Sequence, residues 1–168
     1  MMRRSTLPLF AAVAYLSISC DSPSNPTQPT VDQAAIQLAA AGASIISAGE
    51  NHSCAIRPNK TAACWGKNGD GQLGDGTGAN RSTPVPVVGL TNVIAIAAGR
   101  FHTCAILLNG TGRCWGSNSS GQLGNGGGGP SRTPVVVSGL SGAVAVSSGA
   151  YHSCALLGNG TARCWGFN

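Results

Sequence analysis

A chain of 168 residues with 25 Gly, 9 Pro and only 9% charged side chains disfavours long helices and favours many short strands joined by turns. Its net charge of +5 becomes eight basic against five acidic groups once Arg3 and Arg4 are removed with a leader, too few and too scattered for a nucleic-acid footprint. No nucleic-acid partner is expected.

Residues 1–20 carry Arg3 and Arg4, then the apolar stretch LPLFAAVAYLSI from Leu7 to Ile18, then Ser19 and Cys20. A basic start, a short apolar core and a small residue before the cut make a secretory signal. A stretch of twelve residues falls short of the roughly 20 that a membrane span needs. Cys20 after Ser19 resembles a bacterial lipobox, with Leu16 one place further back than usual. The reading is a signal of lipoprotein type with Cys20 lipidated; ordinary cleaved secretion and an uncleaved anchor are the alternatives. All three place the chain in the cell envelope or outside the cell.

Residues 21–43 read as a linker and an imperfect start to a first blade. Asp21 to Thr30, DSPSNPTQPT, has three Pro among polar residues and should stay extended and solvated, a tether between membrane and domain. Val31 to Ala43 is Ala-rich and resembles the later repeats weakly.

From Ser44 the chain repeats itself every 50 residues. His102 to Gly126 reads HTCAILLNGTGRCWGSNSSGQLGNG; 50 residues earlier stands HSCAIRPNKTAACWGKNGDGQLGDG, identical at 15 of 25 positions, and 50 later HSCALLGNGTARCWGFN. Residues 44–168 thus hold two full repeats and part of a third. Each unit opens with a small-residue strand ending in Gly49, Gly99 or Gly149. A strand around a first Cys follows, then a turn, a strand around a second Cys ending in Trp-Gly, a Gly-rich loop and a Pro-Val stretch. Four short strands per unit is the content of one propeller blade, and units of this kind bury their faces only against neighbours.

Six of the seven Cys fall into repeat-locked pairs, Cys54/Cys64, Cys104/Cys114 and Cys154/Cys164. If Cys104 faces Cys114 in a hairpin, the loop is Leu108, Asn109 and Gly110, with a left-handed residue required at Gly110. Gly160 fills that place in the third repeat and Lys60 in the first. The Cys pair then occupies a non-hydrogen-bonded site with Cα atoms about 4.5 Å apart, as a cross-strand disulfide needs. Zinc is the competitor, since His52, His102 and His152 each precede a Cys pair. A fourth ligand is missing, however, and an exported chain meets oxidising conditions.

Several other features read as scaffold. The three His fit turn or strand packing, and Trp65, Trp115 and Trp165 fit core wedges between blades. Asp70 and Asp75 in NGDGQLGDG hint at a calcium loop, but NSSGQLGNG keeps the shape and drops both acids. GNGGGGPS, Gly124 to Ser131, lacks the Lys-Ser/Thr of a phosphate cradle. Beyond the linker only Asp32, Glu50, Asp70 and Asp75 are acidic, so no catalytic pair is evident and no metal or cofactor is expected.

The strings G-x-x-H-[ST]-C-A-[IL], N-G-T, C-W-G-x-N and G-Q-L-G-[DN]-G together resemble repeats of the RCC1 (regulator of chromosome condensation) family. Their Cys-bearing form is similar to its secreted bacterial branch. The resemblance implies an all-β fold, a β-propeller of which this chain holds part; seven blades of this period need about 350 residues. A fragment, a truncated gene product, or a homo-oligomer whose ring several chains close are the readings that follow. The eponymous family member is a nucleotide exchange factor for the GTPase Ran, while the secreted branch includes an inhibitor that binds β-lactamases with one propeller face.

The function expected is therefore an exported scaffold that binds protein or cell-envelope polymer, not an enzyme. The alternatives are an exported lyase or hydrolase of propeller type with its active site outside this chain, and a structural remnant. Partner recognition is expected where the repeats differ, at Glu50/Asn51, Arg100/Phe101 and Ala150/Tyr151, with Arg100, Phe101 and Tyr151 as interface anchors.

Overall fold

The computed structural model describes residues 46–167. Cys20, the leader and the tether lie outside the described residues. Among the described residues eleven strands form three antiparallel sheets, each built from strands consecutive in the chain. The first holds β1 (Ile46–Ala48), β2 (His52–Ile56), β3 (Ala62–Gly66) and β4 (Arg81–Pro86). The second holds β5 (Val93–Ala98), β6 (His102–Leu107), β7 (Gly112–Gly116) and β8 (Ser131–Val136). The third holds β9 (Ala143–Ser148), β10 (His152–Leu157) and β11 (Ala162–Gly166). These are three blades of an all-β propeller.

The middle hairpin of each blade has the register that the cysteine spacing requires. Cys54 faces Cys64, Cys104 faces Cys114 and Cys154 faces Cys164. Their Cα atoms lie 4.1, 4.1 and 4.0 Å apart, and all three pairs are disulfide-bonded. The sulfurs are therefore spent on one another and cannot serve zinc as thiolates. The turn closes as expected: Leu107 N donates to Thr111 O at 2.9 Å, Gly110 N donates to Leu107 O at 2.8 Å, and Gly110 has φ +75°. Lys60 takes the equivalent position at φ +61°, one of two non-Gly residues with positive φ among those described.

The blades are joined by apolar cores that repeat with the sequence. Between the first and second blades lie Cys54, Ile56, Cys64, Leu73, Val87, Leu90, Val93 and Ala105. Between the second and third lie Cys104, Ile106, Cys114, Leu123, Val137, Leu140, Ala143 and Ala155, the same positions 50 residues on. Trp115 is 0% exposed in the first core, and Trp165 packs partly buried against the second. The two tryptophans wedge between blades, as their repetition suggested.

The inner strands β1, β5 and β9 line a groove of about 560 Å³. They come close because small residues stand where the blades touch. A Cβ on Gly99 would lie 2.5 Å from Gly149 O and 2.5 Å from His102 Cε1. Gly99→Ala should therefore push the second and third blades apart and lower the thermal midpoint markedly, whereas Ala at Gly128, which has open space around it, should leave the midpoint unchanged.

Closing a loop this short should add about 2.5–3 kcal/mol by constraining the unfolded chain. The Cys104→Ala/Cys114→Ala double variant is expected to lose about that much in a urea titration. The parent chain in reductant should lose more, since all three bridges open. An unmoved midpoint would show that the bridges add nothing beyond the hairpins.

Candidate functional site

Two sets of polar side chains cross the blade boundaries, one buried and one at the surface. The buried set begins with His52, which is 3% exposed, and His102, which is 0% exposed. His52 Nε2 lies 2.8 Å from Thr103 Oγ1, and Thr103 Oγ1 donates to Gln72 O at 2.8 Å. Because the threonine proton goes to that carbonyl, its oxygen must accept from His52, which fixes the Nε2–H tautomer. Trp115 Nε1 donates to the same carbonyl at 2.8 Å. The second joint repeats the pattern: His102 Nε2 to Ser153 Oγ at 2.8 Å, with Ser153 Oγ at 3.4 Å and Trp165 Nε1 at 2.9 Å both donating to Gln122 O.

This tautomer leaves the Nδ1 lone pairs of His52 and His102 buried without a partner. A proton there would create a buried charge whose new N–H has no acceptor. Burial accordingly depresses both imidazoles from 6.5 to about 4, and for His102 repulsion from His52 and His152 adds to it. His52 and His102 are thus structural, as expected, but as inter-blade joints rather than turn or strand packing, while His152 is exposed.

Asp75 is equally occupied. Its Oδ1 accepts from Asn68 Nδ2 and Thr77 N, both at 2.9 Å, and its Oδ2 accepts from Arg81 Nε at 3.1 Å. Burial opposes its charge, but hydrogen bonds from Thr77, Asn68 and Arg81 outweigh that and hold the carboxyl below its usual range. In the second repeat Asn125 takes the place of Asp75 and accepts from Asn118 Nδ2 at 3.2 Å. The loop thus demands an acceptor at this position, and an amide meets the demand as well as a carboxylate does.

The surface set lies at the end of the blades where the first strand of each turns into the second. It contains the expected anchors Arg100, Phe101 and Tyr151. The arrangement spans three blades. Arg100 Nε forms an ion pair with Glu50 Oε2 at 2.6 Å, and Arg100 Nη1 donates to Tyr151 Oη at 2.9 Å. The guanidinium carbon lies 4.8 Å from the Phe101 ring centroid and 5.8 Å from that of Tyr151, and the two rings are 6.3 Å apart. Arg100 is therefore committed to neighbours on either side. It holds the rings, while the rings keep part of their surface open.

Two residues at this end were not singled out from the sequence. Lys67 N donates to Asn51 O at 2.8 Å, Ser117 N to Phe101 O at 2.9 Å and Phe167 N to Tyr151 O at 2.9 Å. The residue after each Trp-Gly is thereby fastened beside the residue before each His. Lys67 carries its ammonium to 5.5 Å from the Phe101 centroid, and Phe167 is 69% exposed. Both positions vary between repeats as 51, 101 and 151 do, so the same signal pointed to them.

The buried joint gives a pH dependence whose sign is set by the lowered values. The unfolded chain takes up protons on His near pH 6.5, the folded one only near 4. Stability is complete above about 6.5 and is lost as pH falls toward 4, by at most about 3 kcal/mol per imidazole. Urea midpoints measured across that window should fall on acidification, and His102→Gln should flatten the fall. A flat profile in the parent chain would show that these imidazoles take up protons as readily in the fold as in the unfolded chain.

Two repeat models and three solved structures resemble this chain. The Regulator of chromosome condensation (RCC1) repeat matches residues 64–106 and 114–156, and a second form of that repeat matches 44–72 and 93–122. The match over 64–106 runs from β3 of one blade to β6 of the next, so the unit carried along the chain bridges the joint just described. No curated protein matches the chain. Among solved structures, yeast RCC1 (Prp20) with Kap60 bound is 27% identical with a TM-score of 0.64, over 73% of this chain and 31% of that one. Prp20p from Saccharomyces cerevisiae, studied for its binding to Gsp1p and histones, is 26% identical with a TM-score of 0.65, over 73% of this chain and 32% of that one. Human WBSCR16, at 23% identity and a TM-score of 0.66 over 72% of this chain and 32% of its own, shares the fold. The chain spans about a third of the length of these structures. With its blades, its blade joints and its matched repeats in agreement, the chain belongs to the RCC1 repeat family.

Proposed function

We propose that this chain is an exported RCC1-repeat scaffold, without catalysis of its own, that binds a partner through the end of its blades carrying Arg100, Phe101 and Tyr151. The observation that carries the reading is the cluster itself. Five side chains from three blades meet in one surface patch whose rings are prepositioned by an ion pair and cation–π contacts. Prepositioned aromatic side chains lose little entropy on binding and are the usual anchors of protein interfaces. The related yeast structures concern proteins that bind Kap60, Gsp1p and histones, which supports protein as the partner class.

Export rests on two features. Three disulfides suit an oxidising compartment outside the cytoplasm. The leader over 1–20 and its lipobox-like Cys20 supply a route there and an anchor, with 21–43 as linker and imperfect start to the first blade and 44–168 as the binding module. Among the described residues no helix is long and apolar enough to cross a membrane. A cell-envelope polymer is the second partner class that such an address would offer.

Photo-crosslinking in intact cells tests the surface. A benzoylphenylalanine in place of Phe101 should cross-link to a discrete partner, and the same probe at Val136, exposed on outer strand β8, should not. Tyr151→Ala combined with the probe at position 101 should weaken the cross-link by about tenfold or more, as loss of an interface anchor does. Equal labelling from both positions would overturn the choice of surface.

A further inference from the structure

We infer that the partner presents an acidic segment with an apolar anchor: carboxylates that meet Lys67, beside an aromatic or aliphatic side chain that lies on Phe101 and Tyr151. This rests on the reading of that end as the binding surface and adds what it selects. The inference comes from which charges in the cluster are already spent.

Among the described residues the only acids are Glu50, Asp70 and Asp75, against eight Lys and Arg. Glu50 is neutralised by Arg100 and Asp75 by Arg81. Asp70, three residues along the loop from Lys67, is the one acid outside an ion pair. Lys67 has no carboxylate within ion-pair distance, and its ammonium stands at the ring of Phe101. It is exposed, as are parts of the Phe101 and Tyr151 rings.

The rest of the cluster is built to hold this arrangement. Arg100 is used by Glu50, by the Tyr151 hydroxyl and by both rings, so it positions the aromatic residues and is not itself a free cation. The Tyr151 hydroxyl accepts from Arg100. What remains for a partner is ring surface with a single unsatisfied positive charge beside it. Apolar contact supplies the affinity on such a surface, and the charge selects the partner and speeds encounter. A polyanion such as a nucleic acid or polyphosphate draws its affinity from many cations along its backbone, and this end offers few outside an ion pair, Lys67 beside the rings and Arg132 where β8 begins.

Binding of the full chain to synthetic polymers reads the inference directly. The probes are a random copolymer of glutamate and tyrosine, polyglutamate, polylysine and inorganic polyphosphate, each followed by biolayer interferometry. The copolymer should bind best and weaken with added salt. Lys67→Glu should weaken it by about tenfold or more, since it sets like charges against each other. Phe101→Ala should do the same. The Arg57→Glu/Lys60→Glu variant changes the turn at the opposite end of β2 and should leave binding unaltered. No binding of the copolymer, an unchanged affinity in Lys67→Glu, a preference for polylysine, or polyphosphate binding equal to the copolymer's would each overturn the inference. The cell cross-link separates the two readings. If it survives Lys67→Glu but falls with Tyr151→Ala, the surface stands and the acidic partner falls; if it survives both, both fall.

Discussion

The carbonyl of Gln72 is the point on which this structure turns. It accepts the hydroxyl of Thr103 and the indole of Trp115 from the next blade, and through Thr103 it is linked to His52 in its own. A four-stranded sheet has two faces and no core of its own, so it is stable only when another sheet covers it. Apolar burial supplies that covering but is non-directional. The bonds on Gln72 O and Gln122 O set the distance and angle at which one blade meets the next. The glycines at 49 and 99 are needed because the joint draws the backbones too close for a side chain.

The same joint explains why His52 and His102 are neutral. Each imidazole donates through Nε2 and has nothing to offer a second proton. A polar group buried in this way gives specificity to a contact that leucines would leave free to slide. The disulfides act at a different level. They fasten the two middle strands of each blade and leave the relation between blades to packing.

Where the buried joint repeats, the surface cluster does not. Positions 50 and 100 are Glu and Arg, an ion pair available only because two repeats differ at one place. Phe101 and Tyr151 differ from Asn51, and Lys67 and Phe167 from Ser117. Variation imposed on a rigid, repeated frame puts unlike side chains at like positions, a few ångströms apart. A binding surface can arise in this way without altering the fold.

The period of 50 residues, the left-handed turn at Gly110 and the non-hydrogen-bonded pairing of Cys104 with Cys114 were all legible in the sequence, since each follows from local geometry and strict repetition. So were Arg100, Phe101 and Tyr151 as places where the repeats depart from one another. The pairing of Arg100 with Glu50, the reach of Lys67 to Phe101 and the tautomer of His52 were not legible. Each joins residues from different blades, and how far one blade stands from the next is decided by packing between sheets, which no single repeat encodes.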